Sequence, residues 1–131
     1  MRKQILTLTG ACVLLFSLAG GLAWAESGGV TFTIPFDFFV KDHPLPAGTY
    51  QIRPSGSNHN QLTVQDTSTG KTVVTPVLTR LSSFGGSRPK IAFDKTEDGK
   101  HYLSEFHIPG MDGFAIQGAP SAHTHEILDA K

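Results

Sequence analysis

From residue 30 onward the sequence consists of short stretches in which apolar and polar residues alternate. Val30, Phe32 and Ile34 alternate with threonines, and Phe36 and Phe38 continue the pattern. A period of two places one set of side chains on one face of a strand. Gly, Pro, Asn and Asp interrupt the chain every 8–12 residues, and helical periodicity is nearly absent. The pattern predicts an all-β domain with seven or eight antiparallel strands, in a sandwich or a small barrel.

Two prolines predict irregularities in these strands. Proline cannot donate a ladder hydrogen bond, so Pro35 indicates an edge strand or a bulge. The stretch from Lys71 to Ser83 is long for one strand and has apolar residues on both faces, with Pro76 near its middle. A strand that bends from one sheet to another, or around a barrel corner, fits this stretch.

The dipeptide Asp98-Gly99 predicts a hairpin with a two-residue turn. Pairing outward from this turn places Phe93 opposite Ser104 and Ile91 opposite Phe106 on an apolar face. Asp94 and Glu105 then share the other face, which we expect to face solvent. Six residues share this mainly apolar face in the predicted register: Ile91, Phe93, Lys95, Tyr102, Ser104 and Phe106.

The first 25 residues have the features of a secretory signal peptide. Arg2 and Lys3 precede an uncharged, mostly apolar run, and Ala23-Trp24-Ala25 supplies small residues at the cleavage site. A transmembrane anchor is the alternative, but polar residues and glycines interrupt the run, which is marginal in length. Cys12 allows a lipoprotein reading, although the apolar run continues beyond it. We therefore expect a signal-peptide helix over residues 1–25 and a single all-β domain over residues 26–131, secreted or periplasmic.

Cleavage after Ala25 would leave 106 of the 131 residues, without a cysteine and hence without a disulfide bond. Loss of Arg2 and Lys3 leaves nine basic residues against eleven acidic ones. The basic residues form no cluster in the sequence that would indicate a basic patch, so we expect no nucleic-acid partner. The remaining chain contains no second apolar segment that would span a membrane. The sequence identifies no partner and no oligomeric state.

Several motifs occur in order through the domain. They are Thr33-Ile34-Pro35-Phe36-Asp37-Phe38, Leu45-Pro46-Ala47-Gly48-Thr49-Tyr50, Val77-Leu78-Thr79-Arg80, Ile91-Ala92-Phe93-Asp94-Lys95, Tyr102-Leu103-Ser104-Glu105 and Ile108-Pro109-Gly110-Met111-Asp112-Gly113-Phe114. Together the motifs resemble those of a group of small exported proteins from Acidobacteria and related soil bacteria. The resemblance implies a secreted or periplasmic β-protein of uncharacterised function, and it implies no catalytic residues.

His123 and His125 form the strongest metal-ligand candidate. On a strand, residues i and i+2 project from the same face about 7 Å apart, and two imidazoles in that relation can share Zn²⁺ or Cu²⁺. A third ligand would come from His107, His101 or Glu105 on a neighbouring strand. The alternative is two histidines that lie close together in sequence without a ligand. The segment 122–128 is read as a strand, with a helical turn near its end as the alternative.

Other candidate chemistry is weaker. Asp94 and Glu105 would lie near each other, as glycosidase carboxylates do, but such residues are common on a solvated sheet face. The aromatic residues could line an apolar ligand cavity inside a barrel, or simply fill the core. They are Phe32, Phe36, Phe38, Tyr50, Phe93 and Phe106.

No catalytic motif is present, so the leading interpretation is a non-enzymatic exported β-domain with a binding or structural role in the periplasm or envelope. The first alternative is a metal-binding protein that uses His123 and His125. The second is a carrier of a small apolar ligand inside a β-barrel.

Overall fold

The computed structural model describes residues 29–82 and 87–130, so the predicted signal peptide lies outside the described residues. The described part consists of strands and one turn of 3-10 helix, Ser57–His59, which confirms the all-β class. It contains eleven strands, more than the seven or eight that the sequence predicts, because two predicted strands are each divided in two and residues 43–45, expected to lie in a turn, form a short strand. The strands are β1 (Val30–Ile34), β2 (Phe38–Val40), β3 (His43–Leu45), β4 (Gly48–Ser55), β5 (Gln61–Asp66), β6 (Thr72–Pro76), β7 (Thr79–Leu81), β8 (Lys90–Thr96), β9 (His101–His107), β10 (Gly113–Ala115) and β11 (His123–Asp129).

These strands form two sheets. The first sheet has the antiparallel order β1-β4-β5-β6. The second has the order β11-β8-β9-β10-β7, and the β2–β3 hairpin joins it through β9. The β2–β9 contact is a single parallel pair, Phe39 with Tyr102, whereas the other pairings are antiparallel. The two sheets do not close into a barrel, so the sandwich prediction is supported and the barrel alternative is wrong.

Both prolines mark places where the chain passes between the sheets. Strand β1 ends at Ile34, directly before Pro35, and lies at the edge of the first sheet among the described strands; β2 already belongs to the second sheet. The passage after Pro76 is equally short. The Val77 N–H donates to the carbonyl of Asn60 (2.9 Å), which directly precedes β5 of the first sheet. The N–H of the next residue, Leu78, donates to the carbonyl of Ala115 (2.8 Å) on β10 of the second sheet. The predicted bend at Pro76 is confirmed.

The β8–β9 hairpin differs from its predicted register near the turn. The Thr96 N–H donates to the Lys100 carbonyl (2.9 Å), so the loop has three residues, 97–99, with Gly99 at φ +84°. The prediction of a two-residue turn is therefore wrong. Two-residue and three-residue hairpin loops both accept glycine at a left-handed position, so Gly99 alone does not distinguish them. A bulge between Ala92 and Phe93 compensates. Ile91 pairs with Phe106 as predicted, but Phe93 pairs with Leu103 instead of Ser104.

The core fills the space between the sheets. The predicted aromatic residues pack on one another edge to face, with ring centroids 5.0 Å apart for Phe38 and Tyr50 and 6.0 Å apart for Phe32 and Phe106. The Tyr50 hydroxyl donates to the Pro46 carbonyl at 2.6 Å, and burial raises the pKa of this phenol. Of the six aromatic residues considered for a ligand cavity, five are fully buried and Phe36 is half-buried. The aromatic set is thus core.

Within the part of the chain that the structure describes, no helix has the length and hydrophobicity needed to cross a bilayer.

Candidate functional site

The outer face of the second sheet carries a cluster of one aspartate and two histidines. Strands β8 and β11 pair with His125 opposite Asp94 and His123 opposite Thr96. Alternation along each strand places these side chains on one face. The rings of His123 and His125 lie 5.0 Å apart between centroids. The segment 123–129 is a strand, so the predicted i, i+2 relation of the two histidines is confirmed and the helical alternative is wrong.

Asp94 lies beneath the connection from β10 to β11. These two strands are separated in the sheet by β9 and β8, so residues 116–122 must pass over the sheet to reach the far edge. The connection approaches so closely that a Cβ on Gly118 would stand 2.1 Å from the Asp94 carboxylate. The side chain of Asp94 is only 7% exposed as a result. Only glycine allows this approach, which is why a residue at a sheet face expected to be solvated is buried.

The carboxylate of Asp94 is incompletely satisfied by hydrogen bonds. Its Oδ2 accepts the Ala119 N–H at 3.0 Å. Its Oδ1 lies 3.0 Å from Nδ1 of His125, within ion-pair distance. This contact lacks hydrogen-bond geometry, and Oδ1 accepts no hydrogen bond from the described residues. An unsatisfied buried polar atom is costly, and the contact with His125 is the one ion pair that Oδ1 makes among the described residues.

His123 is oriented by its second ring nitrogen. Nδ1 lies 2.8 Å from the Ser121 carbonyl. A carbonyl can only accept, so Nδ1 carries the proton and Nε2 of the neutral ring carries a lone pair. Nε2 lies 3.5 Å from Asp94 Oδ2, which is also electron-rich. A backbone carbonyl on the other ring nitrogen is the usual orienting partner of a metal-bound histidine.

The three side chains offer donors at separations that suit a metal ion. One ligand atom from each of Asp94, His123 and His125 can be chosen so that all lie within 4.8 Å of one another. Donors bound tetrahedrally at 2.0–2.1 Å from Zn²⁺ are about 3.3 Å apart. His125 Nδ1 lies 3.0 Å from Asp94 Oδ1 and His123 Nε2 lies 3.5 Å from Asp94 Oδ2, so each histidine is near that spacing from a different oxygen of the carboxylate. Two imidazoles and one carboxylate are also a ligand set that leaves further coordination positions open.

The residues expected to supply a third ligand lie elsewhere. His107 Nε2 is 3.1 Å from Glu105, two residues away on the same strand. His101 Nε2 is 3.1 Å from Glu126 and stacks on Phe36 with centroids 3.7 Å apart. Neither these histidines nor Glu105 belongs to the three-residue group.

The third donor, Asp94, entered the sequence argument only as half of a carboxylate pair with Glu105. Glu105 pairs with Ala92, as the predicted register has it, and its carboxylate contacts His107 and not Asp94. The expectation that Asp94 faces solvent was wrong, because the β10–β11 connection covers it. The alternation of β8 did place Asp94 on the outer face, but only the pairing of β11 with β8 brings it to the histidines.

Two depressions flank the cluster along the sheet face. One, of about 330 Å³, lies on the His123 side and includes Lys95, Thr96 and Glu97. The other, of about 240 Å³, lies on the His125 side and has a mainly carbon lining that includes Ala92 and Ile127. The cluster therefore lies between two depressions, and the one on the His125 side has the smaller polar share in its lining.

Comparison with family models, with curated proteins and with solved structures found no match.

Proposed function

We propose that this protein binds a divalent transition-metal ion, Zn²⁺ or Cu²⁺, through Asp94, His123 and His125. The observation that carries the proposal is the buried Asp94 carboxylate, whose Oδ1 lies 3.0 Å from an imidazole nitrogen without a hydrogen bond. The orientation of His123 by the Ser121 carbonyl supports it independently. Asp94 supplies charge, and the two imidazoles supply borderline-soft nitrogen donors that both ions favour.

We place this activity outside the cytoplasm, in a secreted or periplasmic protein, on the basis of the signal-peptide pattern in residues 1–25. The protein acts there as a non-enzymatic binding or structural component of the envelope. The absence of a catalytic motif in the sequence supports this part of the proposal. Incubation with hydrolase substrate panels tests it, and turnover that is abolished by one carboxylate substitution would overturn it.

Metal binding is tested on protein purified without a histidine tag. Elemental analysis is expected to find one metal ion per chain after exchange into Zn²⁺ and removal of excess. Zn²⁺ at 100 times its dissociation constant stabilises the folded state by about 2.7 kcal/mol, so the melting temperature should rise by on the order of 10 °C. EDTA should reverse the rise.

The matched variants are His123→Ala and His43→Ala. His43 is also exposed, lies on β3 and does not belong to the three-residue group, so its substitution should leave the Zn²⁺-dependent shift unchanged. His123→Ala should abolish most of the shift. Sub-stoichiometric zinc, together with a melting temperature indifferent to EDTA, would contradict the proposal.

A further inference from the structure

The apolar depression next to His125 extends the cluster along the same sheet face. On β8, Asp94 and Ala92 are two residues apart and project from one face, about 7 Å from each other. Their β11 partners are His125 and Ile127. His125 therefore belongs both to the metal-ligand cluster and to the wall of the depression. The small side chain of Ala92 forms the floor, because its larger neighbours rise around it.

We propose that the bound metal ion takes a second ligand from solution: a small monocarboxylate whose alkyl chain lies in the depression between Ala92 and Ile127. This inference rests on the proposed metal site. It assigns a ligand class to the open coordination positions of that site.

Charge favours an anionic headgroup. A divalent ion held by one carboxylate and two neutral imidazoles keeps a net charge of about +1, and it is the largest local charge in the site. A carboxylate oxygen from solution would neutralise it. The ligand set leaves coordination positions open for such an oxygen.

The far wall of the depression selects an uncharged tail. The acidic group there, Glu105, is occupied by His107 at 3.1 Å, and Lys90 is occupied by Asp129 at 3.1 Å. Each of these two charged groups has its own partner, so the surface that remains for a ligand is mainly carbon. Ile127 is 53% exposed although it is a large apolar residue. An alkyl chain would cover it, whereas a second carboxylate would meet Glu105.

The test uses the Co²⁺-loaded protein, because the visible absorption of Co²⁺ responds to a new ligand. Acetate and hexanoate are titrated separately, since they share a headgroup and differ by four methylenes. Hexanoate is expected to bind about tenfold more tightly than acetate, as partial burial of those methylenes predicts. Neither should bind measurably to the metal-free protein.

Ile127→Gln and Val74→Gln are the matched variants. Val74 is 50% exposed and lies on β6, an outer strand of the other sheet. Ile127→Gln should reduce the preference for hexanoate to about threefold or less and leave acetate binding unchanged, and Val74→Gln should change neither.

Equal affinities for acetate and hexanoate on Co²⁺-loaded protein would overturn this inference and leave the metal proposal standing. A hexanoate affinity unchanged by metal removal would do the same. Failure of Co²⁺ to bind would overturn both proposals together.

Discussion

Two histidine–carboxylate clusters lie on opposite faces of the second sheet, and they differ in how their polar atoms are satisfied. On the inner face, His101 Nε2 is hydrogen-bonded to Glu126 at 3.1 Å, its ring stacks on Phe36, and Lys95 lies 3.7 Å from the same carboxylate. On the outer face, Asp94 lies 3.0 Å from His125 without a hydrogen bond on Oδ1. The inner cluster is complete with protein atoms, and the outer one is not.

The two clusters also differ in which of their members is buried. In the inner cluster the carboxylate of Glu126 is 39% exposed, so water also solvates it. In the outer cluster the carboxylate is the buried member, at 7% exposure, and the imidazole of His125 is the exposed one, at 61%. A buried carboxylate with partners that leave it unsatisfied lowers stability until a ligand binds. The burial of Asp94 is thus the feature on which the proposed metal site depends.

Asp94→Asn should have the largest effect on metal binding. It removes a charged donor, so Zn²⁺ affinity should fall by more than the 10–100-fold that the loss of an orienting partner costs. Without metal at pH 8, the melting temperature should stay equal or rise, because a buried charge is removed. Calorimetric titration and thermal melts measure both. Glu126→Gln, the inner counterpart, should leave Zn²⁺ affinity unchanged; an equal loss in the two variants would erase the distinction between the clusters.

Gly118→Ala should disturb the outer cluster without replacing any of its three ligand residues. The new Cβ would stand 2.1 Å from the Asp94 carboxylate and 3.0 Å from Ser104 Cβ. Asp94 or the covering connection must shift, and Zn²⁺ affinity should fall about 10–100-fold. Gly48→Ala is the control, because its Cβ would meet Tyr50 at an ordinary 3.6 Å. Calorimetry that finds wild-type affinity in Gly118→Ala would show that the connection does not position Asp94.

His101→Ala should lower the stability of the protein without changing its affinity for Zn²⁺. It removes the stacked contact with Phe36 and the hydrogen bond to Glu126, so the free energy of unfolding should fall by about 1–2 kcal/mol. Zn²⁺ affinity should be unchanged. His123→Ala should show the reverse, with a small stability change in metal-free protein. Urea unfolding and Zn²⁺ titration of both variants make the comparison, and a Zn²⁺ defect in His101→Ala would contradict it.

The smallest effect is expected at Asp66, a carboxylate whose partners come from its own turn. Hydrogen bonds from the Ser68 hydroxyl and N–H, at 2.7 and 2.8 Å, lower the pKa of Asp66. A lowered pKa in the folded state contributes stability above the ordinary value near 3.9. This contribution is lost as the pH falls through the lowered value.

Ser68→Ala should raise the pKa of Asp66 toward its ordinary value and make the stability of the turn less sensitive to pH below that value. Carboxyl resonances followed by NMR titration measure the shift, and Ser57→Ala serves as an exposed serine control. A pKa of Asp66 that does not move would show that the backbone donors alone are sufficient. Zn²⁺ affinity should be the same in both variants, since Asp66 lies in the first sheet.

Local sequence determined the all-β class, the alternation of β1, the passage between sheets at Pro76 and the shared face of His123 and His125. These features depend on interactions between near neighbours: side chains alternate on a strand, and proline lacks the N–H that a ladder requires. The sequence predicted that a hairpin forms at Asp98-Gly99, but it did not predict the length of the loop. Loops of two and three residues both accept glycine at the left-handed position.

Only the tertiary structure decided that Asp94 completes the histidine pair and that it is buried. Asp94 and His125 are 31 positions apart in sequence, and they meet because β11 returns to pair with β8. That pairing forces the β10–β11 connection across the sheet and lays Gly118 on the carboxylate. The alternation of β8 gives the side of the sheet on which Asp94 lies. Which chain segment covers that side depends on strand order, and strand order is set by contacts distant in sequence.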